Sequence, residues 1–261
     1  MSEPLAPQGV VTYLMDMDGV LIRGTHLIPG ADGFIARLRA AGKPFLILTN
    51  NSMYTPRDLQ ARLARIGLAV EANELYTSGL ATAQFLKQQK PDGSAYVIGE
   101  AGLTTALHDM GYILSDQNPD YVVLGETVTY SFQRLTQAIR LIAGGARFIA
   151  TNPDVVGPSE TGLVPATGAV AALIAEATGV KPYYVGKPNP LMMRSAIRQL
   201  NGHSETSVMI GDRMDTDIIS GTEAGMRTIL VLSGVTQREQ VERFPYRPTH
   251  IAASVADINP A

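Results

Sequence analysis

Apolar runs and amphipathic stretches alternate along the chain, which is the pattern of an α/β protein. Runs such as VVTYLM and PFLIL contain no polar alternation, as expected of strands that are covered by helices on both faces. Between such runs, apolar residues recur at helical spacing. The sequence predicts, in order, a strand over 10–15, a helix over 31–41, a strand over 44–48, a helix over 56–66 and a strand over 75–77.

The end of the chain shows the same alternation. The segments YYVGK, SVMIGD and TILVLSG are predicted strands, and helices are predicted over 191–200 and 218–224. The stretch between the two ends is too long for one crossover and has its own strand and helix pattern. We therefore predict a core formed by residues 1–78 and 185–261, with an inserted domain over 79–184.

Two parts of the predicted insertion resemble each other. AYVIGEAGLTTALHDMGY and DYVVLGETVTYSFQRLTQAI share the order apolar strand, Gly-Glu, helix. An internal βα duplication and two ordinary neighbouring strands of one sheet both account for this similarity.

Polar residues follow the predicted strands near the two ends of the chain. They are Asp16, Thr49 with Asn50, Lys187, Asp212 and Ser233. In open parallel sheets, ligands bind outside the carboxyl ends of the strands. We therefore expect several of these residues to converge on one site.

The first strand ends on two carboxylates. Side chains two apart on a strand share a side, so Asp16 and Asp18 can face one pocket while Met17 packs the other way. Two carboxylates 4 Å apart repel by about 4 kcal/mol at an effective dielectric constant near 20, and a divalent cation would offset this repulsion. Magnesium suits such a site because it prefers one or two carboxylates, waters and phosphate oxygens. A calcium loop needs a third regularly spaced ligand and a late glutamate, which DMDGVLIRGTHL lacks, and a plain turn is the other alternative.

Composition narrows the classes of partner. The 261 residues include no cysteine, which excludes disulfides, zinc thiolates and a cysteine nucleophile. The net charge is −3 and there is no lysine and arginine run, so we expect no polymeric nucleic acid as a partner. The N-terminus lacks the features of a signal peptide and no apolar stretch approaches about 18 residues. A cytoplasmic protein that does not bind membranes is therefore expected.

Four motifs occur in the order DMDGVLIRG, LTNN, GKPNP and IGDRMDTDI. Together they resemble the four motifs of the haloacid dehalogenase superfamily of phosphatases. The insertion, with ATNPD and PATGA, and the later LVLSGV are similar to the NagD-type, p-nitrophenylphosphatase-like branch. The resemblance spans nearly the whole chain. It implies an α/β fold with a Rossmann-like parallel-sheet core and an inserted α/β cap domain.

The resemblance also implies the catalytic roles. Asp16 is expected to be the nucleophile that forms an aspartyl-phosphate, and Asp18 the general acid and base. An aspartate with an ordinary pKa near 3.9 is already ionised at neutral pH, so the nucleophile would need no separate base. Lys187 is expected to balance the negative charge of phosphate and carboxylates.

Metal and substrate contacts follow from the same resemblance. Magnesium is the expected cofactor, bound by Asp16, Asp18 and Asp212, with Asp18 also offering its backbone carbonyl and Asp217 supporting the metal waters or Lys187. The residues expected to contact substrate are Asp18, Thr49, Asn50, Lys187, Arg213, Met214, Asp215 and Thr216. In the inserted domain, Asn152 and Asp154 of the ATNPD loop are candidates for contact with the leaving group.

The predicted activity is magnesium-dependent hydrolysis of a small phosphorylated metabolite. The resemblance suggests nucleoside monophosphates as substrates. A sugar-phosphate or phosphoglycolate phosphatase of the same fold is the alternative. A non-enzyme alternative is a signalling receiver-like domain, since receivers also combine aspartates, a threonine and a lysine around a phosphoaspartate.

Overall fold

The computed structural model describes residues 9–157 and 162–260, in which strands and helices alternate. The strands are β1 (Thr12–Asp16), β2 (Ile22–Arg23), β3 (His26–Leu27), β4 (Phe45–Thr49), β5 (Leu75–Thr77), β6 (Ser94–Ile98), β7 (Ile113–Leu114), β8 (Tyr121–Leu124), β9 (Arg147–Ala150), β10 (Val156–Gly157), β11 (Val164–Pro165), β12 (Tyr183–Tyr184), β13 (Ser207–Gly211), β14 (Arg227–Val231) and β15 (His250–Ala252). The helices are α1 (Ala31–Ala40), α2 (Pro56–Arg65), α3 (Ser78–Gln89), α4 (Ala101–Asp109), α5 (Phe132–Ala143), α6 (Thr167–Thr178), α7 (Pro190–Gln199) and α8 (Ile219–Glu223). Within these residues, no helix combines the length and apolar character that a membrane span requires.

The chain folds into two compact units. The first unit comprises the described residues up to Thr49, then Asp58–Tyr76, and the described residues from Lys187 onward. The second unit comprises Asn50–Arg57 and Thr77–Gly186. The domain limits inferred from the sequence stay a prediction, and they differ from these units chiefly in residues 50–57, whose contacts group them with the second unit.

A six-stranded sheet forms the centre of the first unit, in the order β15-β14-β13-β1-β4-β5. Strand β1 lies inside the sheet and runs parallel to both of its neighbours, with Met15 opposite Ile210 on β13 and Asp16 opposite Leu48 on β4. All five residues of β1 are buried. The predicted α/β class is confirmed, and the carboxyl ends of β1, β4 and β13 lie at one edge of this sheet.

The predicted strand in YYVGK is present, and it belongs to the sheet of the second unit rather than to that of the first. Strand β12 pairs in parallel with β9, which is a strand of the second unit. Lys187 instead enters the first unit just before α7, whose first turn is capped by Asn189: its side chain accepts a hydrogen bond from the backbone N–H of Leu191, and Pro190 occupies the first helical position. Lys187 is therefore positioned by a helix start rather than by a core strand.

The helix predicted over 218–224 is preceded by a wider turn. Residues Met214–Ile218 form a π-helical turn, in which the backbone N–H groups of Asp217 and Ile218 both donate to the carbonyl of Arg213. The turn packs so closely on β13 that a Cβ on Gly211 would lie 2.1 Å from the Cβ of Asp217. Such turns are rare and often occur at functional sites.

The second unit is built on a five-stranded sheet in the order β12-β9-β8-β6-β7. Helices α5 and α6 supply Ile142 and Ile174 to a buried cluster that also contains Val122, Leu124 and Phe148 from the sheet. The two similar stretches of sequence form β6 with α4 and β8 with α5, and β6 and β8 are parallel neighbours.

We predict that removing two methyl groups from a buried valine of the core sheet lowers the free energy of unfolding. Val208 on β13 is fully buried, whereas Val11, just before β1, is 50% exposed. Val208→Ala should lower the free energy of unfolding by about 1.5–3 kcal/mol, since two buried methyl groups are lost at about 0.8 kcal/mol each and the cavity left behind adds to the cost. Val11→Ala is the matched control, with a loss under about 0.5 kcal/mol. Urea denaturation followed by circular dichroism measures both, and equal losses would contradict this packing.

Candidate active site

A buried ammonium group joins two carboxylates at the carboxyl edge of the core sheet. The Nζ atom of Lys187 donates hydrogen bonds to Asp16 Oδ1 at 2.5 Å and to Asp217 Oδ1 at 2.8 Å. Only 3% of the Lys187 side chain and 11% of the Asp16 side chain are exposed, while that of Asp217 is fully buried. Charges this well buried are stable only when they are paired and hydrogen-bonded.

Asp217 is held on both of its carboxylate oxygens. Its Oδ1 accepts the hydrogen bond from Lys187, and its Oδ2 accepts from the backbone N–H groups of Asp212 at 3.2 Å and Arg213 at 3.1 Å. The π-helical turn brings the carboxylate back to these donors. Asp217 therefore holds Lys187 and the end of β13 in place, while its predicted support of metal waters stays a prediction.

The side chains of Asp16, Asp212 and Asp217 form a group that fits a divalent cation. One carboxylate oxygen from each of the three lies within 4.8 Å of the others. Asp212 Oδ1 is buried and has no hydrogen-bond partner within the described residues. A buried carboxylate oxygen without a partner is costly, and a metal ligand bond would satisfy it. The donor set consists of oxygens alone, which suits magnesium, calcium or manganese.

Burial and like charge raise the pKa values of two of these carboxyls in the metal-free protein. Burial raises the pKa of Asp16 well above its ordinary value, Lys187 opposes this, and Asp217 and Asp212 add to it. Burial, then the charge of Asp217, raises the pKa of Asp212 to about 6. For Lys187, burial alone would lower the pKa of the ammonium, but Asp16 and Asp217 outweigh it and raise that pKa. An ionised Asp16 at neutral pH therefore depends on Lys187 and a cation rather than on an ordinary pKa.

Asp18 lies at the exposed rim of the same edge. Met17 is buried, Asp18 is exposed, and Gly19 turns the chain with a φ of 79°. The Asp18 carboxylate is not part of the group of three, and metal binding by Asp18 stays a prediction. Lost hydration raises the pKa of the Asp18 carboxyl, with Lys187 acting in the opposite direction. A raised pKa suits a carboxyl that must both donate and accept a proton.

Thr49 and Asn50 occupy the end of β4, where the chain leaves the first unit. Thr49 is the last residue of the strand and is 2% exposed. Asn50 begins the second unit, where its Nδ2 donates to Asp154 Oδ2 at 2.8 Å and its carbonyl accepts from Asn152 Nδ2 at 2.8 Å. Asn152 and Asp154, which were expected to contact the leaving group of the substrate, are thus hydrogen-bonded to Asn50.

The four residues that follow Asp212 in the sequence, 213–216, were expected to contact substrate, and they differ in burial. Met214 is fully buried in a cluster with Ile218, Leu230 and Val241, and Thr216 is also buried. Arg213 and Asp215 are more exposed and bind each other through two hydrogen bonds of 3.0 and 2.9 Å. Substrate contact by any of the four stays a prediction.

Sequence reasoning missed the residues that hold Asp212 from the other side. They lie in the turn after β14, where the backbone N–H of Val235 donates to Asp212 Oδ2 at 2.7 Å and that of Thr236 donates to the Asp212 carbonyl at 3.1 Å. The only signal in the sequence was the Ser-Gly pair that ends LVLSG, which indicates a turn at the edge of the sheet.

Comparison with known proteins agrees with this geometry. A haloacid dehalogenase-like hydrolase family matches residues 13–113, and a second family of the same kind matches residues 184–258. The chain is 59% identical to dihydroxyacetone phosphatase of Corynebacterium glutamicum, over 95% of this chain and 90% of that protein. It is 43% identical to ribonucleotide monophosphatase NagD of Escherichia coli K12, over 96% and 98% of the two chains. The solved structure of NagD from that strain superposes with a TM-score of 0.92 at 42% identity, covering 95% of this chain and 98% of NagD.

The parallel core sheet, the inserted α/β cap and the buried acidic group together define a phosphatase of the haloacid dehalogenase type. The chain belongs to the haloacid dehalogenase-like hydrolases, in the NagD and p-nitrophenylphosphatase family. The second unit is the cap of this family, and membership among hydrolases favours an enzyme over a receiver-like domain.

We predict that Lys187 is required for stability mainly at neutral and higher pH. Lys187→Met leaves Asp16 and Asp217 buried without their cation, so the free energy of unfolding in EDTA at pH 7.5 should fall by about 3–5 kcal/mol. Without the ammonium the pKa of Asp16 rises further. A carboxyl whose pKa is higher in the folded than in the unfolded protein makes folding less favourable as the pH rises from the unfolded-state pKa to the folded-state pKa. The stability lost in Lys187→Met should therefore be smaller at pH 5 than at pH 7.5.

Lys181→Met is the control for this prediction, because Lys181 is exposed and its substitution changes the net charge equally. Urea denaturation at both pH values measures the two variants. A loss for Lys187→Met that is no larger than that of the control, or that is the same at pH 5 and 7.5, would contradict the charge arrangement.

Proposed function

We propose that this protein hydrolyses small phosphomonoesters in a magnesium-dependent reaction through an aspartyl-phosphate at Asp16, and that its substrates are small sugar phosphates such as dihydroxyacetone phosphate. One observation carries the proposal. Asp16, at the end of the central strand, is hydrogen-bonded to a buried ammonium and belongs to a buried group of three carboxylates with Asp212 and Asp217, and Asp212 Oδ1 has no partner within the described residues.

The first step is attack by a carboxylate oxygen of Asp16 on phosphorus. A bond forms between Asp16 and phosphorus while the bond from phosphorus to the ester oxygen breaks. Asp18 gives its proton to the departing oxygen, for which its raised pKa is favourable. Thr49 would donate a hydrogen bond to the phosphoryl oxygens, and Lys187 would balance their charge.

The second step returns the enzyme to its starting state. Asp18, now ionised, accepts a proton from water as the water oxygen bonds to phosphorus. The bond between Asp16 and phosphorus then breaks, which releases inorganic phosphate and restores the Asp16 carboxylate. Asp18 holds one proton again, so the cycle balances.

The Asp16 and Asp212 carboxylates would hold the metal, with the Asp18 carbonyl as a further ligand and Asp217 supporting the arrangement. When bound, a divalent cation supplies positive charge that stabilises the phosphoryl oxygens and lowers the pKa values of the carboxyls around it. Asp212 fits this role because one oxygen is already engaged by the chain while the other has no partner within the described part of the chain.

The relatives support a sugar phosphate more strongly than a nucleotide. Identity to the dihydroxyacetone phosphatase is 59%, against 43% to ribonucleotide monophosphatase NagD and 38% to a 5'-nucleotidase of Bacillus subtilis. An acid sugar phosphatase of Staphylococcus aureus is 40% identical. The alternative reading of the sequence, a sugar-phosphate phosphatase, is therefore preferred to the nucleoside monophosphates that the motifs first suggested.

We predict that substitutions of Asp16 and Asp18 block different steps of the reaction. Asp16→Asn should reduce kcat by at least about a thousandfold while keeping part of the magnesium affinity, because the nucleophile is lost but Asp212 remains. Asp18→Asn should still accept phosphate and should accumulate or slowly form phosphoenzyme, because the acid and base is missing. Steady-state kinetics and intact-protein mass spectrometry measure both. Wild-type turnover in either variant would refute the role assigned to that residue.

The substrate class is tested with a panel of phosphomonoesters scored by released phosphate. We predict that kcat/KM for dihydroxyacetone phosphate is at least tenfold above that for 5'-UMP and 5'-AMP. The Asp16→Asn variant, purified in parallel, provides the background from contaminating phosphatases. A preference for the nucleotides would overturn the substrate class while leaving the chemistry of the site intact.

A further inference from the structure

The turn after β14 differentiates the two carboxylate oxygens of Asp212. The backbone N–H of Val235 donates to Oδ2 at 2.7 Å, whereas Oδ1 is buried without a partner within the described residues. The carbonyl of Asp212 accepts from the N–H of Thr236 at 3.1 Å. Both the side chain and the backbone of Asp212 are thus fixed by one short segment, Ser233–Thr236.

Two glycines allow the backbone to approach this carboxylate. A Cβ on Gly234 would lie 1.9 Å from Asp212 Oδ2, and a Cβ on Gly19 would lie 2.3 Å from the same atom. Real Cβ atoms do not come so close to oxygen. The Asp212 carboxylate is therefore enclosed by the turn after β14 on one side and by the turn after β1 on the other.

A side-chain hydrogen bond ties these two turns together. The hydroxyl of Ser233 donates to the carbonyl of Gly19 at 2.7 Å. The carbonyl of Ser233 accepts a hydrogen bond from the guanidinium of Arg23, which lies in the hairpin after Gly19. Since Gly19 follows Asp18, this contact links the position of Asp212 to the segment that carries Asp16 and Asp18.

We propose that Ser233–Thr236 is a positioning segment for the metal ligand Asp212: the Val235 N–H occupies Oδ2 and thereby directs Oδ1 toward the cation. The inference rests on the metal-dependent function proposed above. Preorganised ligands bind a metal more tightly because the cost of ordering them is met when the protein folds. None of these four residues contacts the cation or the substrate in this account, so their role is exercised through Asp212.

Val235 allows the proposal to be tested with a matched pair of variants. Its side chain is 67% exposed, so Val235→Ala removes little packing and keeps the N–H group. Val235→Pro removes the N–H group. Magnesium binding without substrate, measured by isothermal titration calorimetry, should be at least tenfold weaker for Val235→Pro than for Val235→Ala. Because Val235→Pro also leaves the buried Asp212 Oδ2 without this donor, its thermal midpoint in EDTA should fall too. The magnesium affinities are therefore compared at a temperature at which both variants are folded.

Ser233 provides a second pair if Val235→Pro does not fold. Ser233→Ala should weaken magnesium binding at least threefold, and Ser233→Thr, which keeps a hydroxyl, should restore it. For Val235→Pro and Ser233→Ala, kcat should be much lower than that of the paired control at low magnesium and should approach the control value at saturating magnesium. A merely structural role would lower the EDTA midpoint without this selective loss of affinity.

The outcomes separate this proposal from the function itself. Equal magnesium affinities within each pair would overturn the positioning role while leaving the phosphatase chemistry untouched. Weaker binding by Val235→Pro, in a protein that releases no phosphate from any phosphomonoester, would support the positioning role and refute the proposed function.

Discussion

The buried contact of Lys187 with Asp16 and Asp217 is the interaction on which the rest of the site depends. Three acidic side chains meet at one edge of the core sheet, and without a compensating cation their mutual repulsion would destabilise the folded protein. Lys187 supplies one positive charge permanently, with hydrogen bonds of 2.5 and 2.8 Å. The remaining negative charge of the carboxylates favours a divalent cation, and in the proposed function this cation and Lys187 together offset the charge of a phosphate dianion.

The four aspartates of the site have different environments, and each environment suits a different role. Both oxygens of Asp217 are engaged within the protein, so it acts as a fixed partner of Lys187. Asp212 has one engaged oxygen and one without a partner within the described residues, as expected of a metal ligand. Asp16 is buried at the end of a strand, and Asp18 is exposed two residues later. Because burial raises the pKa of Asp16, the ionised form that the proposed reaction needs depends on the surrounding positive charge.

The sequence was sufficient to predict the α/β class, the insertion and the placement of Asp16, Thr49 and Asp212 at the ends of core strands, because each ends or follows an apolar run. Their roles in the reaction stay a prediction. The sequence predicted a strand before Lys187 but could not show which sheet that strand joins, since the pairing of two-residue β12 with β9 is set by tertiary contacts that no local pattern reveals. The π-helical turn was not predicted because five residues form a single turn, which is too short to show a period of its own in the sequence. The Val235 contact was invisible because every residue except proline carries the same backbone N–H.

The central claim is that Asp16 becomes covalently phosphorylated during turnover. Acid quenching of the wild-type enzyme during hydrolysis of dihydroxyacetone phosphate, followed by borohydride reduction, would convert an aspartyl-phosphate to homoserine, and peptide mass spectrometry would locate it. The account predicts homoserine at position 16, dependent on magnesium and on substrate. Modification at another carboxylate, or its absence at position 16 while phosphate is being released and a reference acyl phosphate is trapped under the same conditions, would contradict it.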